Sequence, residues 1–339
     1  MSADGASIRD EHGLIETYFR PLAVAPGAFR LTDDAAAYTP PAGSDLVLTK
    51  DGIAEAIHFL PGEAAETIAR KALRVNLSDL AAKGARPVGY LVLLGLGEDW
   101  TEEWIAGFAA GLAADQAEYG ATLYGGDTIR SNGLLVSITA FGIVATGTMV
   151  RRSRARPGDR VFVTGTIGDG ALGLLAARDD ERVRGLSDEA RAHLLDRYRL
   201  PRPRVELAPV LSQYATAALD VSDGLAGDLD KLCAASGVSA RIAVEDVPLS
   251  PAARQAVDAD PGLAMLCLCG GDDYEIVCTV PPDRARDFRV SAGSAGTPVA
   301  EIGVIEDGGS EATFLDARGR PVHFGERSFS HVRSTYSPD

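Results

Sequence analysis

The sequence has few cysteines and no segment typical of export or membrane insertion. Its four cysteines all follow residue 232, and none stands in a CxxC or Cys/His ligand spacing, which argues against a zinc-binding module. The first residues are polar and acidic, unlike a signal peptide. Residues 133–150 carry no charge but are rich in Thr, Gly and β-branched residues, which favours a strand over a membrane helix. We therefore expect a soluble, cytoplasmic protein.

The usual nucleotide-binding loops are also missing. The sequence contains no GxxxxGK[ST] loop, no GxGxxG fingerprint and no set of protein-kinase motifs. The Gly-rich run TGTIGDGALG (164–173) matches neither loop in its spacing, and we interpret it as a plain strand, turn and helix start. Any bound nucleotide must then be positioned mainly by metal ions and scattered polar groups.

The formal net charge of −15 restricts the partners of the chain. An acidic surface repels nucleic acids and anionic membranes, so neither is expected as a partner. It also repels phosphorylated metabolites, unless cations bridge the protein and the substrate. The charge therefore favours a metal-dependent site for any phosphorylated ligand.

The stretch NLSDLAAKGARP (76–87) ends a helical run that begins near Ala64. Asn76, Asp79 and Lys83 are spaced i, i+3 and i+7, so they share one helix face, while the leucines of the same helix share another. A carboxylate on a helix otherwise suited to the core is costly unless it has a partner. Asp79 is therefore either a cap for a neighbouring loop or a ligand of a site.

Acidic residues recur in small, Gly-rich surroundings along the chain. They stand in the motifs LTDDAA, TKD, NLSD, GGDT and DVSDG, each at a strand end or a helix start. A single such Asp is most often a turn residue bonded to its own backbone, but five motifs together indicate a shared role. Mg²⁺ suits them, since it binds through a few carboxylates plus substrate phosphates. Calcium is disfavoured because no EF-hand loop pattern occurs.

Helical and strand patterns alternate in both halves of the chain, which predicts two α/β domains. The basic run RRSRARPGDR (151–160) contains Pro157-Gly158 and marks the boundary between them. We predict an N-terminal domain over residues 1–148 and a C-terminal domain over residues 149–339. Three local predictions accompany this division: an amphipathic helix over 7–20 that includes Ile8, a strand end and turn at LYGGDTIR (123–130), and a strand that carries Cys267 and Cys269 on one face.

Eight motifs give the sequence a specific resemblance. They occur in the order and spacing of the thiamine-monophosphate kinases: TDDAA, KDGIAEAIHF, RKALRVNLSDLAAKGARP, LYGGDT, RRSRARPGD, VTGTIGD, LDVSDGL and GGDDYEI. That family belongs to a wider group with aminoimidazole ribonucleotide synthetase, selenophosphate synthetase and a hydrogenase-maturation protein. The resemblance runs from about Asp33 to Thr279. It implies a two-domain fold like aminoimidazole ribonucleotide synthetase, with mixed α/β sheets, ATP between the domains, and an N-terminal metal- and ATP-binding domain whose sheet pairs across a homodimer.

The resemblance also implies site residues. Several Mg²⁺ ions would be held at the positions Asp34, Thr49, Asp51, Asp79, Asp127, Asp220 and Asp223. Of these, Asp51, Asp79 and Asp127 are expected to be catalytic. ATP would lie near Gly126, Arg152 and Ser222, and the phosphorylated acceptor near His58 and Asp272. The alternatives for two of them are a half-buried core position for His58 and a solvated linker position for Arg152.

The implied reaction is transfer of the γ-phosphoryl group of ATP onto thiamine monophosphate by direct in-line attack, which gives thiamine diphosphate. An enzyme like aminoimidazole ribonucleotide synthetase, a metal-dependent phosphohydrolase and a non-catalytic nucleotide sensor are the alternatives. Selenophosphate synthetase is disfavoured because the first cysteine is Cys233, and the hydrogenase-maturation protein because the chain ends in SPD rather than cysteine.

The sequence departs from the family pattern at four places. Thr32 stands where the family often has Gly, Lys50 replaces a Thr or Ser beside Asp51, and Asp272 replaces a common Glu. No Trp occurs in the last third of the chain, where the family often stacks one on the thiamine moiety. Phe324 and Phe329 are the candidates for that place.

Overall fold

The structure is a computed structural model that describes residues 11–98 and 100–328, so the predicted positions Ile8 and Phe329 lie outside the described residues. The chain divides into two compact units: unit 1 comprises residues 1–80 and 85–147, and unit 2 comprises residues 81–84 and 148–339. In the described part of the chain, every helix is too short or too polar to cross a bilayer.

Unit 1 is built around a four-stranded sheet in the order β1-β4-β2-β3. Only β2 and β3 pair in parallel, and the other pairs are antiparallel. The elements of this half of the chain are α1 (Glu11–Leu14), β1 (Ser44–Ala54), α2 (Ala65–Ala82), β2 (Arg86–Leu96), α3 (Glu102–Tyr119), β3 (Thr122–Arg130) and β4 (Leu135–Ala145).

The two faces of this sheet differ in how far their side chains are buried. Alternate residues of a strand point to opposite faces, and one face carries buried residues such as Val47, Tyr90 and Ile138. We call the opposite side the outer face, and it exposes large apolar side chains. The exposed fractions there are 41% for Leu46, 64% for Leu48, 41% for Leu91 and 40% for Ile129. The uncharged stretch that we predicted to be a strand forms β4.

The helices of unit 1 follow their sequence signals. Thr101 begins α3 as its N-cap, and its hydroxyl oxygen accepts the Trp104 N–H at 3.1 Å. Gly120 ends α3 in the left-handed conformation at φ 73°, which glycine adopts without a Cβ penalty. The predicted helix ending at NLSDLAAKGA is confirmed as α2. The predicted amphipathic helix over 7–20 is confirmed as helical in its described part, with Leu14 and Phe19 buried, but α1 stops at Leu14 and continues as a π-helical turn.

The predicted turn at LYGGDTIR is wrong, since the segment belongs to the continuous strand β3. Glycine usually signals a turn, but here the two glycines serve the strand. The β2–β3 register shifts between Tyr90 and Leu91, which leaves an extra residue in β3 beside Gly125. At Gly126 a Cβ would overlap the Val92 carbonyl oxygen, so the close approach of the two strands requires glycine.

Unit 2 contains a six-stranded mixed sheet in the order β10-β7-β9-β5-β8-β6. Its strands are β5 (Arg160–Thr164), β6 (Ala217–Val221), β7 (Val238–Ala243), β8 (Glu275–Val280), β9 (Val299–Asp307) and β10 (Ala312–Leu315). Its helices are α4 (Asp169–Ala177), α5 (Asp188–Arg199), α6 (Ala208–Tyr214), α7 (Leu225–Ser236), α8 (Pro251–Ala259), α9 (Leu263–Cys269) and α10 (Ala285–Ser294). The predicted strand at Cys267 and Cys269 is wrong: the segment LAMLCLC forms α9, in keeping with its strong helix formers Leu, Ala and Met.

Candidate active site

In unit 1, the polar face of α2 lies against β1. The Thr49 hydroxyl donates a hydrogen bond to Oδ2 of Asp79, and the Asp51 backbone N–H donates to Oδ1 of Asn76 at 2.9 Å. Asn76 is completely buried, and its amide also donates to the Ala72 carbonyl at 2.9 Å. The predicted shared helix face of Asn76 and Asp79 therefore contacts the strand that carries Thr49 and Asp51.

The acids Asp34 and Asp127 lie on the other side of the same sheet. Both line a cavity of about 660 Å³ on the outer face, together with Lys50, Leu91 and Tyr124. That volume is in the range of small-molecule sites. Lys50 donates from Nζ to the Ser137 hydroxyl at 2.7 Å. Although Lys50 is next to Asp51 in sequence, it points away from Asp51, because successive strand residues face opposite sides.

Unit 1 therefore holds its predicted ligands in two groups. Asp51 pairs with Ile138, Ile138 with Val92, and Val92 with Gly126, so Asp51 and the GGD motif occupy one row across the sheet. They are three strand spacings apart, roughly 14 Å. The row brings the two groups to one level of the sheet, but it does not bring them together within one chain.

His58 lies in a tight loop after β1. Its Nδ1 accepts the Ala54 N–H at 3.0 Å, and Ala56 takes the left-handed conformation at φ 63°. Lys71 of α2 is almost completely buried, at 1% exposure, and its Nζ donates to the His58 carbonyl at 2.9 Å. The sequence reasoning missed Lys71, because a lysine one helical turn before Val75 and Asn76 gives no local sign of its burial.

In unit 2, three loops meet at one edge of the sheet. Both β5 and β6 run antiparallel to β8, which lies between them, so the ends of β5 and β6 adjoin the start of β8. The loops that follow or precede these strands are residues 165–170, 222–224 and 270–274, and we call them the three-loop cluster. They contain the TGTIGDG, DVSDG and GGDD motifs, and they carry the predicted residues Ser222, Asp223 and Asp272.

Backbone contacts tie two of these loops together. The Asp272 N–H donates to the Ser222 carbonyl at 2.9 Å, and the Tyr274 N–H donates to the Val221 carbonyl at 2.8 Å. A Cβ at Gly271 would overlap the Ser222 carbonyl, so the loops could not approach this closely with another residue there. The predicted metal position Asp220 is buried in β6, at 8% exposure, just before this contact.

Asp223 has an ion-pair partner that the sequence reasoning missed. Nζ of Lys231 lies 2.5 Å from Oδ2 of Asp223 and 2.8 Å from Oδ1 of Asp228. Asp228 in turn accepts the backbone N–H groups of Ser222 at 3.1 Å and Asp223 at 3.0 Å. Burial raises the pKa of Asp228, while its contacts with Lys231 oppose the rise. The i, i+3 spacing of Asp228 and Lys231 on α7 was the available signal.

Arg152 lies away from the three-loop cluster. Its carbonyl accepts the Ser236 hydroxyl at 2.8 Å, and Ser236 is the last residue of α7, whereas Ser222 and Asp223 precede the first. The 12-residue helix between them is about 18 Å long. Phe324 packs edge-on against Phe314 with ring centroids 5.1 Å apart, so this candidate for the family's Trp contributes to the core of unit 2.

The donor atoms suit magnesium. Carboxylate and hydroxyl oxygens are the ligands that this hard cation prefers. Among residues 11–98 and 100–328, neither Asp34, Asp79 nor Asp127 has an ion pair with Lys or Arg that would compete for the metal. Nor do any three His, Cys, Asp or Glu side chains of this described part form a ready-made metal site. A Mg²⁺ ion at these residues would therefore need further oxygen ligands from substrate phosphates or water.

Comparisons with known proteins agree with the resemblance. The family model for the N-terminal domain of AIR synthase related protein matches residues 32–144, and that for the C-terminal domain matches residues 156–316. Thiamine-monophosphate kinase from Caulobacter vibrioides is 43% identical over 323 residues, which cover 94% of this chain and 90% of the relative. The corresponding enzyme from Salmonella typhimurium is 37% identical, covering 88% of this chain and 90% of the relative.

Solved structures show the same relationship. The crystal structure of thiamine-monophosphate kinase from Stenotrophomonas maltophilia superposes with a TM-score of 0.77 at 37% identity, covering 84% of this chain and 89% of the other. The structure of AaThiL complexed with AMPPCP and TMP superposes with a TM-score of 0.75 at 29% identity, covering 97% and 98%. The predicted two-domain α/β fold is confirmed by these similarities.

Proposed function

The chain belongs to the thiamine-monophosphate kinase family of the AIR synthase related proteins, and we propose that it phosphorylates thiamine monophosphate with ATP. The products are thiamine diphosphate and ADP. The observation that carries this conclusion is the 43% identity to a thiamine-monophosphate kinase over 94% of the chain. The complex of AaThiL with an ATP analogue and TMP supports the same pair of substrates.

The chemistry needs no dedicated general base. The attacking atom is an oxygen of a phosphate monoester whose second pKa is about 6, so it is largely ionised at neutral pH. What the reaction needs is in-line alignment of two polyanions and relief of their repulsion. The acidic and hydroxyl side chains of the two units supply oxygen ligands for cations that perform both tasks.

We assign the metal-binding role to Asp34, Thr49, Asp51, Asp79, Asp127, Asp220 and Asp223. Bound Mg²⁺ would supply charge neutralisation of the transferred phosphoryl group. The Thr49 hydroxyl orients the Asp79 carboxylate through its hydrogen bond, and Asn76 holds the Asp51 backbone in place. Nζ of Lys231 neutralises Asp223 through Oδ2, and Oδ1 is the oxygen that would be offered to a bound metal.

The roles of the remaining residues follow from the family resemblance. Gly126, Arg152 and Ser222 are proposed to contact ATP, and His58 and Asp272 to contact thiamine monophosphate. In His58 the Nδ1 atom accepts the Ala54 N–H, so the proton of the neutral imidazole is on Nε2. Nζ of Lys71 stabilises this loop by its hydrogen bond to the His58 carbonyl.

We also propose that the N-terminal domain, residues 1–148, binds metal and ATP and forms a homodimer through its sheet, while residues 149–339 form the second α/β domain. The outer face supports the dimer because it exposes Leu46, Leu48, Leu91 and Ile129. In addition, β1 and β3 are the edge strands of the sheet, and their outward backbone groups can pair with a second copy. The cytoplasmic location, and the absence of nucleic-acid and membrane partners, stay predictions.

One assay tests the function. The purified protein is incubated with ATP, Mg²⁺ and thiamine monophosphate, and thiamine diphosphate and ADP are quantified. We expect equal amounts of both products, and no ADP when the acceptor is left out. Inorganic phosphate without thiamine diphosphate would indicate a phosphohydrolase instead, and binding of ATP without turnover would indicate a sensor.

A further inference from the structure

A buried carboxyl group fills the start of α4 in unit 2. Oδ2 of Asp273 accepts the Gly168 N–H at 2.8 Å, and Oδ1 accepts the Gly170 N–H at 3.0 Å. Gly168 is the N-cap of α4, and Asp273 is only 1% exposed. The helix N-terminus, where a Gly-rich loop often binds phosphate, is therefore taken by the protein's own side chain. The backbone N–H groups of the TGTIGDG run thus bind the Asp273 side chain rather than a nucleotide.

The residues on both sides of Asp273 have unusual backbone conformations. Asp272 has φ 63° and Tyr274 has φ 50°, the left-handed region that non-glycine residues rarely adopt. Two such residues, separated by one, persist only where their surroundings hold them. The backbone N–H groups of Asp272 and Tyr274 are bonded to loop 222–224 and the end of β6, and the side chain of Asp273 is bonded to loop 165–170.

Asp273 thus connects loop 270–274 to loop 165–170 within the three-loop cluster. Loop 165–170 approaches loop 270–274 so closely that a Cβ at Gly170 would overlap the Asp272 carbonyl oxygen. Where loop 270–274 joins β8, Nη2 of Arg197 donates to the Asp273 carbonyl at 3.2 Å and to Oε1 of Glu275 at 2.9 Å. Asp273 is therefore held through its side chain by loop 165–170 and through its carbonyl by Arg197.

We infer that Asp273 is a positioning residue for acceptor binding: its two hydrogen bonds to loop 165–170 set the backbone, and hence the side-chain direction, of Asp272. This inference rests on the proposed function, and specifically on the role of Asp272 near thiamine monophosphate. Asp273 itself is too buried to contact a substrate. Its effect must pass through the loop that it holds.

The test compares two buried acids at the start of α4. Asp273→Asn keeps the volume but replaces one oxygen, which can accept whether the carboxyl is ionised or protonated, with an NH₂ group that cannot accept. One of the two glycine N–H groups therefore loses its partner. Asp169→Asn is the matched control, because Asp169 is completely buried as well. Its carboxylate accepts the Thr166 and Ser250 hydroxyls and contacts His193, and in the described chain it has no hydrogen bond to loop 270–274.

For Asp273→Asn we expect the KM for thiamine monophosphate to rise at least ~10-fold, the factor that one lost net hydrogen bond represents, with the KM for ATP nearly unchanged. Hydrogen exchange at the Gly168 and Gly170 amides should accelerate in the same variant. Asp169→Asn should lower the melting temperature without this selective rise in KM. An unchanged KM for thiamine monophosphate in Asp273→Asn, or equal rises for both substrates, would overturn the inference.

A second variant approaches the same contact from the opposite side. Gly170→Ala leaves Asp273 intact but places a methyl group against the Asp272 carbonyl, so it should reproduce the selective rise in KM. This variant keeps the inference testable if Asp273→Asn folds poorly. If the wild-type protein makes no thiamine diphosphate, the proposed function fails. The exchange rates at Gly168 and Gly170 then still decide whether Asp273 holds the loop.

Discussion

Glu275, the first residue of β8, accepts four hydrogen bonds while completely buried. Arg197 donates to its Oε1 at 2.9 Å, Arg204 donates to Oε1 at 2.5 Å and to Oε2 at 2.7 Å, and the Thr164 hydroxyl donates to Oε2 at 2.6 Å. The substitution Glu275→Gln replaces one of the two acceptor oxygens with a donor. Two guanidinium groups then face an amide in place of a carboxylate.

The magnitude follows from this burial. Removing one partner of a buried ion pair costs about 3–5 kcal/mol, because the remaining charge stays desolvated without compensation. That is a large share of the roughly 5–15 kcal/mol that stabilises a typical domain. Glu301→Gln is the matched control, since Glu301 also contacts two arginines, Arg160 and Arg289, but its side chain is 28% exposed. Such partly solvated pairs contribute about 0–1 kcal/mol.

Urea unfolding followed by far-UV circular dichroism measures the difference. Both tryptophans of the chain, Trp100 and Trp104, belong to unit 1, so tryptophan fluorescence identifies the transition of that unit. The remaining transition reports unit 2. We expect Glu275→Gln to lower the free energy of unfolding of unit 2 by about 3–5 kcal/mol and Glu301→Gln by less than about 1 kcal/mol. Equal losses in the two variants would refute the reasoning.

Three further predictions address catalysis, assembly and pH. Asp79→Asn and Asp127→Asn should each lower kcat at least ~100-fold, as for loss of one electrostatic contact to the transition state, whereas Asp45→Asn should not; near-normal turnover in both would break the metal assignment. Leu48→Glu should convert a dimer into monomers in analytical ultracentrifugation, and a monomeric wild type would contradict the proposed interface. Burial raises the pKa of Asp273 to about 8, although its two backbone N–H donors oppose the rise. At a pH below this value and above the ordinary pKa of aspartate, the native state therefore keeps a proton on Asp273 that the unfolded state has lost. The stability of the wild type relative to Asp273→Asn should therefore fall by about 1.4 kcal/mol per pH unit between about pH 5 and 7, and parallel stability curves would exclude this.

Local patterns in the sequence were sufficient for the parts of the fold that local physics determines. The spacing of Asn76 and Asp79 predicted a shared helix face, which meets β1, and the uncharged residues 133–150 predicted the strand β4. The LYGGDTIR turn was wrong, because the need for glycine at position 126 comes from the Val92 carbonyl of a neighbouring strand. The strand at Cys267 was wrong, because a seven-residue apolar run has no period that separates a strand from a helix.

The candidate site was predictable as a set of residue types but not as an arrangement. The acidic motifs could be found in the sequence, but only the sheet order shows that Asp51 and Asp127 occupy opposite edge strands. The partners Lys71 and Lys231 were missed, and so was the contact of Asp273 with loop 165–170, since each acts on a loop that is distant in sequence or on the far side of a turn. Residues that fix the loops carrying the site through hydrogen bonds or ion pairs have no sequence motif of their own, because tertiary packing determines their role.

The central claim is that acidic side chains of this chain hold the cations that carry the substrate phosphates. Anomalous diffraction from crystals grown with Mn²⁺, AMPPCP and thiamine monophosphate tests it most directly. We expect manganese peaks within inner-sphere distance of Asp79 and Asp127 carboxylate oxygens, with phosphate oxygens completing the coordination. Manganese bound to the phosphates alone, with none of the assigned carboxylates in contact, would contradict it.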